Sequence, residues 1–122
     1  MGKILIVDDS STLRAAVKFT LTDNGHEVLQ AEDGQKGLEV LKTCDVNDIA
    51  MIITDINMPN MDGITMIKEI KKTSFKFTPI LVMTTEAEES KKTEGREAGA
   101  SGWLIKPFKP DQLIGVVSRF VE

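Results

Sequence analysis

The sequence predicts an α/β fold in which helices cover both faces of a parallel sheet. Short apolar runs alternate along the 122 residues with stretches whose apolar residues recur at helical spacing. The runs are unbroken, which is typical of parallel strands that are buried on both faces. A chain of this length can bury one sizeable core but not two. We therefore expect a single domain over residues 1–122.

The predicted strands are the apolar runs themselves. Most consist of Ile, Leu, Val and Met, and polar or turn-forming residues follow each run. In chain order, the strands are residues 4–7, 27–31, 51–54, 80–83 and 103–105.

All the predicted helices except the fourth begin at a capping or helix-starting residue and present an apolar stripe. In chain order, the helices begin at Ser10 or Ser11, Asp33, Asp62, Ala87, and Pro110 or Asp111. The stripes contain Leu13, Val17 and Leu21 in the first helix, Leu38 and Leu41 in the second, Ile64, Ile67 and Ile70 in the third, and Leu113, Val116, Val117 and Phe120 in the last. Asn24-Gly25 ends the first helix. The fourth helix, residues 87–97, is rich in charge and poor in large apolar residues, so we expect it to pack weakly and to move most.

Composition and charge exclude several classes of protein. With 41% hydrophobic and 28% charged residues, the chain is typical of a soluble globular domain. Its net charge of −4 argues against binding to nucleic acid, which requires clustered Lys and Arg. A single cysteine, Cys44, excludes an internal disulfide, and neither a secretory leader nor a transmembrane stretch is evident. We expect a cytoplasmic monomer that binds neither nucleic acid nor membrane.

Four of the predicted strands end on polar residues that suit phosphate chemistry. Asp8 and Asp9 follow the first strand, Asp55 the third, Thr84 the fourth and Lys106 the fifth. Any one of them alone is more often a cap or a turn former. Because open α/β sheets bind ligands outside the carboxyl ends of their strands, the coincidence of all five indicates a functional site.

The three carboxylates predict a metal ion. If the first and third strands are neighbours, Asp8, Asp9 and Asp55 converge, and three like charges coexist only beside a cation. Mg²⁺ suits this site because it prefers oxygen ligands and leaves room for a phosphoryl oxygen. Lys106 and Thr84 would then stabilise charge on a transferring phosphoryl group. Asp55, which stands alone, is the candidate nucleophile that forms an acyl phosphate.

Four motifs carry a resemblance to a known family. They are Val7-Asp8-Asp9-Ser10, Asp55-Ile56-Asn57-Met58-Pro59-Asn60-Met61-Asp62-Gly63, Thr84-Thr85-Glu86-Ala87, and Ala98-Gly99-Ala100-Ser101-Gly102-Trp103-Leu104-Ile105-Lys106-Pro107-Phe108. In order and spacing they resemble the receiver domain of two-component response regulators, and most of all its single-domain chemotaxis members. The likeness covers the whole chain. It implies a flavodoxin-like, doubly wound sheet of five parallel strands in the order 2-1-3-4-5, with five helices.

The resemblance also implies roles for the site residues. Asp55 would accept a phosphoryl group from a sensor histidine kinase, while Lys106 and Thr84 bind the phosphoryl oxygens. Mg²⁺ would be held by Asp9, Asp55 and the backbone carbonyl of Asn57, with Asp8 assisting through water. Glu86 would orient a water molecule.

A switch to an output surface is implied in the same way. In the family the threonine hydroxyl moves toward the phosphoryl group, and an aromatic side chain three residues before the lysine turns inward. That position is Trp103, where the family usually has Tyr or Phe, and the Lys106-Pro107 peptide bond is typically cis. The output partner, such as a flagellar motor switch component, would bind the surface of the fourth helix, fifth strand and fifth helix.

Several alternatives use similar residues. Haloacid dehalogenase phosphatases also phosphorylate a strand-end Asp, but they have a second Asp two residues later as general acid and base, where this chain has Asn57. A flavin carrier needs a phosphate cradle that Asp8-Asp9 would repel, and a pseudo-receiver would more often lack one of the site residues. We therefore expect a phosphoacceptor switch with slow autodephosphorylation rather than an enzyme. A phosphorelay shuttle remains the alternative to a role in chemotaxis.

Overall fold

A computed structural model describes residues 2–85 and 87–121. Strands and helices alternate along these residues. The strands are β1 (Lys3–Val7), β2 (Val28–Ala31), β3 (Ile49–Thr54), β4 (Ile80–Thr84) and β5 (Gly102–Ile105). The helices are α1 (Ser11–Asp23), α2 (Gly34–Lys42), α3 (Gly63–Ile70), α4 (Glu89–Ala98) and α5 (Pro110–Val117), with a short 3-10 helix at Val46–Asp48 before β3.

The strands form one parallel sheet in the order β2-β1-β3-β4-β5. The predicted fold and strand order are therefore confirmed. Val7 pairs with Thr54, so β1 and β3 end side by side at the centre of the sheet. Because all strands run the same way, the residues that follow them meet at one edge.

The first three helices begin at the predicted caps. The Ser10 hydroxyl accepts a hydrogen bond from the Leu13 amide at 3.2 Å. The carboxylates of Asp33 and Asp62 accept from the amides of Lys36 and Thr65, each at 2.8 Å. These bonds satisfy amide groups that a helix start leaves without a partner.

Two expectations about helix bounds were wrong. Helix α4 begins at Glu89 rather than Ala87, because Glu88 is still extended (φ −64°, ψ 135°) and makes no side-chain capping bond. Helix α5 ends at Val117, so Phe120 lies beyond the helix and is 36% exposed instead of continuing its stripe. As expected for α4, only Gly95 among its residues is buried.

Alternation along the central strands divides the core into two layers. Leu5, Val7 and Ile52 face α3, whose predicted stripe is fully packed, and they form one layer. Ile4, Ile6 and Ile53 face the other way, toward α1 and α5. Successive strand residues point to opposite faces, which is why one apolar run serves both layers.

Among the residues that the structure describes, no helix combines the length and the apolar character needed to cross a membrane.

Candidate functional site

The three predicted acids lie together at the carboxyl edge of the sheet. Asp8 follows β1 and Asp55 follows β3, and the Asp55 amide donates to the Val7 carbonyl at 3.0 Å. Asp8 and Asp55 are 1% and 8% exposed, whereas Asp9 is open to solvent. One carboxylate oxygen from each acid lies within 4.8 Å of the other two. The pairing of β1 with β3 therefore brings about the convergence on which the metal prediction depends.

Lys106 reaches this cluster from the end of β5. Its Nζ atom donates to Asp8 Oδ2 at 2.8 Å and to Asp55 Oδ2 at 2.9 Å. Its backbone amide donates to the Thr84 carbonyl at 2.8 Å, which fixes the base of the side chain against the end of β4. The Lys106-Pro107 peptide bond is cis, as the resemblance implied.

The surroundings of Lys106 favour the charged form of its side chain. Burial by itself lowers the pKa of Lys106, but the hydrogen bonds to Asp8 and Asp55 and their negative charges outweigh burial and raise the pKa above its ordinary value. The side chain is only 15% exposed. At neutral pH a charged lysine therefore bridges two carboxylates in a largely buried setting.

Backbone amides hold the remaining carboxylate oxygens of the buried acids. Asp8 Oδ1 accepts from the Ser10 amide at 2.8 Å, and Asp55 Oδ1 accepts from the Ile56 amide at 2.6 Å. Each carboxylate is thus held by one amide and one shared ammonium group. Their orientation is fixed before any ligand arrives.

Sequence reasoning missed Arg14. Its guanidinium group donates to the backbone carbonyl of Asp8 from the first turn of α1. The available signal was its position four residues after the Ser10 cap, which places it one helical turn into α1 beside the end of β1. Arg14 brings a second positive charge to the site without using a carboxylate oxygen.

The other predicted residues surround the cluster. Thr84 is fully buried at the end of β4, and Asn57 is exposed in the loop after Asp55. Trp103 is half-buried in β5, beside Val82 of β4 and against Gly95 of α4. Glu86 was expected to orient a water molecule, and it lies outside the described residues.

The donor set fits a hard divalent cation. Every candidate ligand is an oxygen, and Asp9 faces solvent with its carboxylate close to those of Asp8 and Asp55. Three carboxylates outnumber the charges of Lys106 and Arg14, so the site has an excess of negative charge. A divalent cation relieves this excess of negative charge.

Comparisons with known proteins agree with this geometry. The family model of the response regulator receiver domain matches residues 4–118. The chain is 42% identical to chemotaxis protein CheY1 of Helicobacter pylori over 114 residues, which covers 91% of this chain and 90% of the relative. It is 42% identical to CheY-3 of Vibrio cholerae, covering 98% and 92% of the two chains. The solved structure of Vibrio cholerae CheY4 superposes with a TM-score of 0.92 at 43% identity and covers 99% of each chain. With this fold, this arrangement of acids and lysine, and these relatives, the chain belongs to the response regulator receiver domain family.

Proposed function

We propose that the chain is a phosphorylation-activated switch in which Asp55 takes a phosphoryl group from the phosphohistidine of a sensor kinase. The observation that supports this most directly is the bridge from Lys106 Nζ to Asp8 and Asp55 beside the exposed Asp9. The Asp55 carboxylate, the Lys106 ammonium group and the Asp9 carboxylate lie within one small space. Phosphoryl transfer requires little beyond such positioning and charge stabilisation.

Receiver domains bind Mg²⁺ at an acidic pocket of this kind. In this chain Asp9, Asp55 and the backbone carbonyl of Asn57 would hold the ion, and Asp8 would assist through water. When bound, Mg²⁺ neutralises charge on the phosphoryl oxygens and on the carboxylates. The nucleophile Asp55 then meets an incoming anion with less repulsion.

The transfer itself uses the residues of this chain. A carboxylate oxygen of Asp55 forms a bond to phosphorus while the bond from phosphorus to the donor imidazole breaks, and the imidazole nitrogen takes up a proton. Lys106 exchanges its contact with Asp55 Oδ2 for one with a phosphoryl oxygen. The Thr84 hydroxyl binds a second phosphoryl oxygen from the end of β4.

The signal would leave the site through β4 and β5. Thr84 and Trp103 stand on paired strands, with Trp103 beside Val82, two residues before Thr84. Movement of the Thr84 side chain toward the phosphoryl group opens space behind it, and the indole of Trp103 turns toward that space. The exposed surface of α4, β5 and α5 changes accordingly and binds an output partner.

CheY-like receiver domains are signalling switches rather than classical enzymes. Several relatives of this chain bear the name chemotaxis protein, which favours an output partner in the flagellar motor over a phosphorelay shuttle. Asn57 cannot act as a general acid or base for the attacking water. The acyl phosphate should therefore persist long enough to be a signal, with slow autodephosphorylation.

The test is phosphorylation of the purified chain by acetyl phosphate with Mg²⁺, followed by mass spectrometry of the intact protein. We expect one added phosphoryl group, none in Asp55→Asn, and an unchanged result in Asp23→Asn, which alters an exposed acid at the end of α1. Absence of modification in the unaltered chain would contradict the proposal. Rapid turnover of diverse phosphate esters would favour the phosphatase alternative instead.

A further inference from the structure

We propose that Asp33 and Asn60 form a clamp that positions the loop between β3 and α3, and through that loop sets the affinity of the site for a divalent cation. The inference rests on the proposed function, because it takes the backbone carbonyl of Asn57 as a metal ligand. Neither clamp residue belongs to the acid cluster. Both act at a distance, as positioning residues.

Asp33 is a buried acid outside the cluster of Asp8, Asp9 and Asp55. It is 3% exposed, and its Oδ1 accepts from the Lys36 amide at 2.8 Å as the cap of α2. A cap needs only this one oxygen, and a serine hydroxyl serves equally well. The second oxygen, Oδ2, accepts from Asn60 Nδ2 at 2.9 Å across 27 residues of sequence. Capping alone therefore does not account for an aspartate here.

Asn60 holds its loop in an uncommon backbone conformation. Among the described residues it is the one non-glycine residue with positive φ, at 67°. Asparagine tolerates this region better than most residues, but glycine adopts it without strain. The amide of Asn60 is directed to Asp33 from this conformation, so one side chain supplies both the turn and the tether.

A second contact ties the same two segments together. The Gly34 amide at the start of α2 donates to the Met61 carbonyl at 3.3 Å. A Cβ atom at Gly34 would lie 2.8 Å from that carbonyl, so only glycine permits this close approach. The N-terminus of α2 therefore lies directly against the loop at Asn60 and Met61.

The clamped loop contains the proposed carbonyl ligand. It begins after Asp55, and the Gly63 amide donates to the Ile56 carbonyl at 2.8 Å, which closes the loop at its base. A backbone carbonyl cannot adjust by side-chain rotation, so the position of the Asn57 oxygen depends on the conformation of the whole loop. Outer groups that orient metal ligands commonly affect metal affinity by about 10-fold or more.

The experiment measures binding of Mn²⁺ by the electron paramagnetic resonance signal of the free ion. Asn60→Gly removes the amide and keeps the positive φ, while Asp33→Ser removes the second carboxylate oxygen and keeps the cap. We expect Mn²⁺ affinity to fall about 10-fold in each variant. The double variant should bind no more weakly than either single one, since both remove the same bond. Asp45→Ser is the matched control: Asp45 caps the 3-10 helix before β3, at the opposite end of that strand, and its replacement should leave affinity unchanged.

Urea unfolding without metal separates positioning from general destabilisation. The clamp predicts reduced Mn²⁺ affinity under conditions where every variant is fully folded. Unchanged affinity in both clamp variants would overturn the inference, provided that Asp9→Asn abolishes binding. Wild-type protein that binds no Mn²⁺ would instead overturn the proposed metal site, and the inference with it.

Discussion

Replacing Lys106 with methionine removes the side chain that bridges Asp8 and Asp55. At separations of 2.8 and 2.9 Å, an effective dielectric constant near 20 gives an attraction of about 6 kcal/mol for each pair. Much of this attraction offsets the cost of burying the charges. Removing one partner from a buried ion pair costs about 3–5 kcal/mol. Because Lys106 remains partly exposed, we expect Lys106→Met to lower the free energy of unfolding by about 3 kcal/mol at neutral pH without metal.

Binding of a divalent cation should raise the variant's own free energy of unfolding by nearly as much as the substitution lowers it. In the variant the carboxylates no longer have a bound ammonium group, so their attraction for Mg²⁺ increases. At a Mg²⁺ concentration 100 times the dissociation constant, binding adds about 2.7 kcal/mol to the free energy of unfolding. Urea titrations with and without Mg²⁺ measure both effects. Lys18→Met, which replaces an exposed lysine on α1, is the control and should change stability little.

The pH dependence gives a second check on Lys106. Its pKa in the folded protein is raised above the ordinary 10.5, so its stabilising contribution is complete below pH 10.5 and is lost as the pH rises through the folded value. Above neutral pH, the stability difference between wild type and Lys106→Met should therefore narrow only in that alkaline range. A loss below about 1 kcal/mol at neutral pH without metal, or no gain in the stability of Lys106→Met when Mg²⁺ is added, would contradict this expectation.

Three further predictions concern other parts of the fold. In Gly95→Ala, the new Cβ would lie 2.6 Å from the Trp103 ring, so the indole must shift. The fluorescence emission of this single tryptophan should therefore move to longer wavelength, and unchanged emission would contradict the contact. Ile67→Ala, at a fully buried position of α3, should lower the free energy of unfolding by about 2–5 kcal/mol in urea, whereas Lys68→Ala on the exposed face should change it by less than about 0.5 kcal/mol. The amide of Lys36 and the side chain of Asn60 hold the pKa of Asp33 below its ordinary 3.8. The charged Asp33 carboxylate therefore stabilises the fold above pH 3.8, and this stabilisation is lost as the pH falls through the lower folded pKa. In Asp33→Asn, the free energy of unfolding should depend less on pH in that acidic range.

Local sequence patterns predicted the structure correctly where a single residue determines a local feature such as a helix start. Ser10, Asp33 and Asp62 cap their helices because each side chain reaches an amide only three positions further along. The acid cluster was also predictable, since residues after adjacent parallel strands must meet. Helix ends were harder. The spacing of Phe120 continues the apolar stripe of α5, yet the helix ends at Val117. Spacing alone does not determine the last residue of a helix.

Contacts between distant segments were not predictable from local pattern. The bond from Asn60 to Asp33 joins residues 27 positions apart, and it forms only because the start of α2 and the loop after β3 lie side by side at the carboxyl edge of the sheet. The direct bridge from Lys106 to Asp8 spans 98 positions. The position of Lys106 after a strand predicted that it would lie at the carboxyl edge of the sheet. Which carboxylates it contacts depends on how far its side chain extends past the neighbouring strands.

We propose Asp55 as the single phosphoacceptor of a site assembled from Asp9, Lys106 and Thr84. This proposal is tested most directly by locating the modification after treatment with acetyl phosphate and Mg²⁺, through reduction of the acyl phosphate with borohydride and peptide mass spectrometry. We expect conversion at Asp55 alone, and none when Mg²⁺ is chelated. Modification at another residue, or at Asp55 without any need for divalent metal, would contradict it.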